Sequence, residues 1–401
     1  MIRILILLAF AFKVTAQSLT PEFVCDLPEI LKENSGLIVV NDSTILFHND
    51  SGNDACLYLV NDRCEILSKH CLANAKNVDW EAITRDTRGN IFIGDIGNNR
   101  NNRSQTIIYR VRLENLLRDS LSYADEIRLN YLEDFPPPAH RQMFDAEALV
   151  WHNDSLFIFS KNRREPYDGV SWVFGFPDIP GEYAISPIDS IKIPGMGRML
   201  SWVTDAAYDA GSRVLLLLGS NQITAIHHEA DQVFWRGTQH RLSLPMISQK
   251  EAIGFGSAVL YLSDEQFSGL PGGKLYRLPK KLLFKTLEID PLLQPIDFGI
   301  RIREKIVDDH FDISFNLPYN TWMAYELLTY QGEQRLINKP RDLNAGFHRI
   351  EIPVGHIFPD IYILNIIIDG IPSAFIVRKT GDAKKAIEEF RQEQEKVIFP
   401  K

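Results

Sequence analysis

Carboxylates and amide oxygens recur along this chain at a spacing that draws them together. In "DWEAITRDTRGNIFIGDIGNN", residues 79 to 99, one acidic cluster opens the segment and another closes it. The runs between them read as two strands turning at Arg88-Gly89. A hairpin centred on Arg88 sets Glu81 opposite Asp95. Directly opposed side chains stand about 5 Å apart, and like charges there repel. A cation, a hydrogen-bond donor, a shared proton or water must compensate. Hard cations such as Ca²⁺ take carboxylate and amide oxygens as ligands.

The device repeats. Related segments open at Ser35, Glu81, Glu147, Asp205 and Glu251. Fourteen residues after the first four openers stand Asn49, Asp95, Lys161 and Gly219, and the fifth reaches Asp264 after thirteen. Each segment has an opener, a short strand, a polar turn, an apolar strand and a polar exit. Glu81, Asp95, Asn49, Glu251 and Asp264 form the candidate set for a divalent cation, Ca²⁺ first. Asp50, Asp79, Asp145, Glu147, Lys161, Arg163 and Asp205 form the candidate surface for a small polar or glycan-like ligand. Lys161 and Arg163 would hold its anionic or oxygen-rich part. Taken singly, each acidic residue is also explained as a turn cap or as a partner of Lys161, Arg163 or Arg100. The convergence of the set carries the functional reading.

The elements that would position these residues follow from the spacing. Successive openers lie 46, 66, 58 and 46 residues apart. A four-stranded propeller blade takes about 40–50 residues. In a propeller the loops entering the innermost strand and leaving the second strand open on one face, so openers and exits meet on one rim. The reading is a β-propeller over residues 19–285. Five blades are countable, and a sixth fits if residues 105–145 hide a degenerate one. The fifth repeat lacks an outermost strand, and "EFVCDLP" near the N-terminus can supply it.

Residues 1–16, "MIRILILLAFAFKVTA", have a basic start, an apolar stretch and a small residue before Gln17, the pattern of a secretory signal peptide. Its removal takes away Arg3 and Lys13 and shifts the formal charge from -9 to -11. An acidic exported chain, secreted or held at the cell surface, is a poor nucleic-acid binder. No later apolar run approaches a membrane span. Cys25, Cys56, Cys64 and Cys71 predict one or two disulfides, with three full pairings open. Their spacing fits no zinc site.

The signature "SGL … HNDSG … DWEAI … GDIGNNRNNR … IYRV" resembles secreted propeller proteins common in Bacteroidetes. More distantly it is similar to phytase-like and gluconolactonase-type propellers. The second likeness implies one divalent metal held by Glu, Asn and Asp, with Glu81, Asn49, Asp95 and Glu251 as candidates. The first would require a basic phosphate-binding cluster, for which Lys161, Arg163 and Arg164 are available. Residues 296–380 alternate apolar and polar positions between Gly, Asn and Pro turns, as in a small immunoglobulin-like β-sandwich. "LNAGFHRI" resembles the C-terminal sorting domain of type IX secretion substrates, although "PDIYIL" has Asp360 where Gly is usual. That likeness implies the secretion machinery as a partner. Residues 381–401 read as a charged tail, helical or disordered.

The sequence thus predicts an all-β protein, a propeller followed by a sandwich. Its leading function is cation-dependent binding of a small polar or glycan-like ligand. Metal-dependent hydrolysis of phosphoesters or lactones at the same mouth is the rival, and a metal-free interaction scaffold is the third reading.

Overall fold

The computed structural model describes residues 17–41, 43–195, 197–229, 232–245, 248–266, 272–289, 298–329, 333–368 and 371–381. Residues 1–16, read above as a signal peptide, and the segment beyond 381, read as a charged tail, lie outside the described residues. The chain is β throughout, with five sheets of four or five strands followed by two further sheets.

Each of the first five sheets is one blade. Their innermost strands are Asn34–Asn41, Trp80–Arg85, Ala146–His152, Asp205–Asp209 and Gln249–Phe255. Each packs against the next, and the fifth returns to the first, closing a ring of five. Residues 105–145 hold no sixth blade. Gln105–Arg112 and Asp125–Tyr131 are the outer strands of the second.

The ring is held by five apolar cores, one between each pair of neighbouring blades. A blade has no solvent face, so alternate residues of one strand serve different cores. In Ser155–Ser160, Leu156 and Ile158 pack toward blade 2, whereas Phe157 and Phe159 pack toward blade 4. This is why "VLLLLG" is an uninterrupted apolar run of only six residues: Leu215 and Leu217 face blade 3, Leu216 and Leu218 face blade 5. Among the described residues no helix is long and apolar enough to cross a membrane.

Closure of the ring is a local matter. Glu22–Asp26 pairs antiparallel with Lys274–Pro279 and becomes the outermost strand of blade 5. Cys25 in that strand is bonded to Cys64 of blade 1, 39 residues on, and Cys56 to Cys71 across adjacent strands of blade 1. The first bond ties the closing strand to the neighbouring blade; the second only staples one sheet. Replacing Cys25 and Cys64 together by Ala is expected to lower stability by about 2–4 kcal/mol. The loss at Cys56 and Cys71 should be smaller, because the loop of 15 residues is shorter. Melting of the two double variants checks the order; equal losses would contradict a ring-closing role for Cys25–Cys64.

After the propeller, His310–Leu317 and Gly346–Pro353 form a three-stranded sheet with Arg301–Ile302. Facing it is a sheet built on Thr321–Leu328, Asp360–Ile368 and Ile371–Lys379. Alternate residues of both sheets, including Phe311, Ile313, Ile352, Leu364 and Phe375, share one core, which makes the pair a sandwich. The sandwich packs on the hairpin-turn side of the propeller. Lys305 donates to the carbonyls of Asn153 (3.0 Å) and Asp154, at the turn of the blade 3 hairpin. Arg88, at the corresponding turn of blade 2, gathers Asp86 (3.1 Å), Asp154 (2.9 Å) and Asp178.

Candidate functional site

The openers are β-bulges. In blade 2, Trp80 pairs with Asp95 and Ala82 with Gly94, leaving Glu81 unpaired between them. The same irregularity leaves Ser35, Glu147 and Glu251 unpaired in blades 1, 3 and 5. An extra residue in one strand bends it and re-aims the side chain. Here it frees four openers from the sheet faces, which are filled by apolar cores. Asp205 in blade 4 has no bulge and pairs with Leu218. Its carboxylate accepts from the backbone N–H groups of Ala206 (2.7 Å) and Ile253 (2.7 Å), stitching blades 4 and 5 together.

The bulge corrects the facing pair expected from the sequence. Asp95 stands opposite Trp80, not Glu81, and its carboxylate is already engaged. It accepts from Arg103 Nη2 (2.7 Å) and from the N–H groups of Val78 (3.3 Å) and Asp79 (3.1 Å). Arg103 also donates to Gly97 O (2.6 Å), so it clamps the loop behind the site. Asp264 is likewise turned away, accepting from Tyr276 Oη (3.0 Å) and the Lys274 N–H (2.9 Å). Asn49 donates to Ile30 O (2.7 Å), while its Oδ1 is buried without a partner.

What meets Glu81 is a different pair. One carboxylate oxygen each from Asp50, Asp79 and Glu81 lie within 4.8 Å of one another. Asp50 comes from the exit of blade 1, Asp79 and Glu81 from the opening of blade 2. Ser35 Oγ donates to Glu81 Oε2 (2.9 Å), linking the first two openers. Among the described residues, none of the three carboxylates has an ion-pair partner within 4.0 Å. Oxygens at about 2.4 Å from a Ca²⁺ ion are at most about 5 Å apart, so the cluster has the dimensions of a cation site.

Gly97 shapes this cluster. A Cβ at that position would stand 2.4 Å from the Asp79 carboxyl carbon and 2.7 Å from Glu81 Oε1. The second glycine of "GDIG" is therefore needed for the loop to pass so close. Gly97→Ala should displace both carboxylates, lower affinity for Ca²⁺ at least about tenfold and cost about 1–3 kcal/mol of stability. Calcium titration of the variant checks this; wild-type affinity would show that the cluster is not the binding place.

The neighbouring part of the rim is internally compensated. Lys161 Nζ donates to both oxygens of Glu147, and Arg163 Nε donates to Asp145 (2.6 Å). The other Asp145 oxygen accepts the Asn98 N–H (2.8 Å), and Arg163 Nη2 reaches Asn99. Burial opposes the charge on Lys161, but Glu147, Glu251, Asp145 and Glu81 outweigh it and hold the ammonium above its ordinary value. Lys161 is therefore a fixed cation. The indole of Trp202 covers the pair, 5.3 Å from Lys161 Nζ and 4.6 Å from the Arg163 guanidinium carbon. A partly exposed aromatic beside charged hydrogen-bonding groups is a binding surface for a ligand with one apolar and one polar side.

The uncompensated carboxyls carry the electrostatic cost. Burial, then Asp50 and Asp145, push Asp79 up to about 6. Burial, then the negative charges of Glu147 and Asp50, raise Glu81 well above its ordinary value. Glu251 is raised by burial, although Lys161 opposes the rise. Glu265, one residue past the blade 5 exit, is pushed up to about 8 by burial and then by Glu251 and Asp50. Glu265 and Arg103 were not singled out by sequence spacing. Each lies just outside the repeat frame, so no opener-to-exit rule reaches them.

The sequence matches no protein-family model and no curated protein. Among solved structures it is similar to an α-L-arabinofuranosidase from Clostridium thermocellum, at 14% identity and a TM-score of 0.31, covering 61% of this chain and 84% of that one. The five-bladed ring rests on the strand pairing and inter-blade cores described above, and the site on its own geometry.

Proposed function

We propose that the protein binds a divalent cation, Ca²⁺ first, through Asp50, Asp79 and Glu81, and with it a small hydroxyl-rich ligand at the channel mouth. The observation that carries this reading is the asymmetry of the rim. The carboxylates of Asp95, Asp145 and Glu147 each have a basic side chain of their own, whereas Asp50, Asp79 and Glu81 converge without one. A bound cation would supply the missing charge and leave coordination positions for ligand hydroxyls. Lys161, Arg163 and Trp202 would meet the rest of the ligand, a glycan-like molecule having both polar edges and apolar faces.

A metal-dependent hydrolase of phosphoesters or lactones is the second reading. It is favoured by Lys161 and Arg163, fixed cations beside the cluster that would face the anionic or carbonyl oxygen of such a substrate. Export and delivery by a secretion machinery that reads the C-terminal sandwich belong to the same proposal.

Isothermal titration of chelator-treated protein with Ca²⁺ tests the cation site. One saturable site is expected in the wild type, weakened at least about tenfold in Glu81→Gln. Absence of calcium binding in the wild type would leave the metal-free scaffold. With calcium present, turnover of p-nitrophenyl phosphate or gluconolactone selects the hydrolase, and sugar binding without turnover selects the binding protein.

A further inference from the structure

On the side of the ring opposite the mouth, a cavity of about 470 Å³ lies between blades 3 and 4 and the sandwich. Its volume falls in the range of small-molecule sites. One wall is a connected aromatic group centred on Phe234. That ring lies 4.8 Å from Phe157, 4.9 Å from Tyr208, 4.9 Å from Trp235 and 5.0 Å from His152, centroid to centroid. The facing wall comes from the sandwich, where Ala374 and Ile376 stand beside Phe298 and the polar Arg301, Glu326 and Asn365. Ile376 packs with the blade 3 and 4 core, so the strand turns this face, with Ala374 on it, toward the propeller.

Several polar groups around the cavity are committed, although Asn365 Oδ1 is buried without a partner among the described residues. The Tyr208 hydroxyl and His228 Nε2 are 2.9 Å apart, and Trp235 Nε1 donates to Asp189 (2.6 Å). Glu326 accepts from Asn365 (3.0 Å) and Gln334 (3.0 Å). His152 differs. Its ring is pressed edge-on against Tyr208 (4.8 Å) and Phe234, and among the described residues neither ring nitrogen is hydrogen-bonded. Burial, then His228 and Lys305, push it down to about 3, so it is a neutral imidazole at physiological pH, with one donor and one acceptor.

We infer that this cavity is a second binding site, taking a flat aromatic molecule that carries a hydroxyl group, with the ring against the Phe234 wall and the hydroxyl on His152. The flatness follows from the connected aromatic wall centred on Phe234, which favours stacking. The hydroxyl follows from an uncharged imidazole that can donate or accept one hydrogen bond beside the aromatic wall. Because the walls come from both domains, such a ligand would also hold the sandwich against the propeller.

The probe is 2-naphthol, titrated against the full chain in chelator, so that the channel mouth takes no part. The readout is heat of binding together with the fluorescence of Trp151 and Trp235, both at the cavity. One saturable site is expected, with naphthalene binding about tenfold more weakly for want of one hydrogen bond. His152→Phe should remove the difference between the two compounds, and Ala374→Trp should abolish binding of both by filling the space. If Ala374→Trp does not fold, the naphthol-to-naphthalene ratio in His152→Phe decides alone. No saturable binding of 2-naphthol, binding that survives Ala374→Trp, or an unchanged ratio in His152→Phe would each overturn the proposal, and none would bear on the cation reading.

Discussion

The carboxyl groups of the mouth are expected to cost chelator-treated protein stability as pH rises from 5 to 8, against an opposite contribution from the buried His48, His152 and His228 that is complete above about pH 6.5, and Ca²⁺ is expected to restore stability most strongly at pH 8. The sign follows from the raised carboxyl groups. Asp79, at about 6 in the fold, and Glu265, at about 8, bind their protons more tightly folded than unfolded. Each therefore contributes stability that is complete below its unfolded value and lost as pH rises through its folded one. For Asp79 the loss runs from about pH 4 to 6, and for Glu265 from about pH 4.5 to 8. Glu81 and Glu251 are displaced in the same direction. Both Asp79 and Glu265 keep some exposure, so solvent screening reduces the effect. A combined loss on the order of 2–3 kcal/mol remains, equivalent to about 3–4 °C for a chain of this size. A cation binds the ionised carboxylates and competes with protons, so its stabilisation grows with pH. At a thousandfold excess over its dissociation constant it would reach about 4 kcal/mol. Melting curves at pH 5, 6, 7 and 8, with chelator and with Ca²⁺, give the answer. A melting temperature at pH 8 that is indifferent to calcium would remove the cation site.

The parts of this rim that could be read from sequence were those tied to a period. The fourteen-residue interval placed Lys161 against Glu147, and the structure joins them directly. The spacing of openers gave the blade, and the incomplete fifth repeat called for an outer strand that Glu22–Asp26 supplies. What escaped was register. Counting outward from Arg88 gives the correct pairing for Ala82 with Gly94 and fails one residue later, because the bulge inserts Glu81 without a partner. A bulge of this kind has no composition of its own; it depends on the ring, where a side chain aimed into the channel has water and ions to meet. The same shift exchanged the partner of Glu81, from Asp95 in its own blade to Asp50 in the previous one. Contacts between blades cannot be reached from the periodicity of one hairpin. Gly97 could have been found, since a second glycine in "GDIG" has no turn to explain it, and close backbone approach is the usual alternative reason.

Lys161→Met is expected to be the most damaging single change at the rim and to improve calcium binding in whatever protein survives. Lys161 donates to both oxygens of Glu147 within a buried part of the mouth. Removing one partner of such a pair leaves the other charge buried and unpaired, which typically costs about 3–5 kcal/mol. Arg163, 3.8 Å from Glu147 Oε1, offsets part of this, but its Nε is committed to Asp145. The double variant Lys161→Met with Glu147→Gln removes both charges and should recover most of the loss, giving a coupling energy well above additivity. The calcium effect has the opposite sign. Lys161 pairs with Glu147, but its charge also reaches Glu81, Asp50 and Glu251 and lowers their proton affinity. Without it, Asp50, Asp79 and Glu81 face a more negative rim, and a divalent ion should bind several-fold more tightly. A role in packing alone would lower stability and leave calcium affinity where it was. The experiment is a four-variant cycle, melted in chelator and titrated with Ca²⁺. Additive stabilities together with unchanged affinity would separate Lys161 from the cluster, and the mouth would then be two independent sites rather than one.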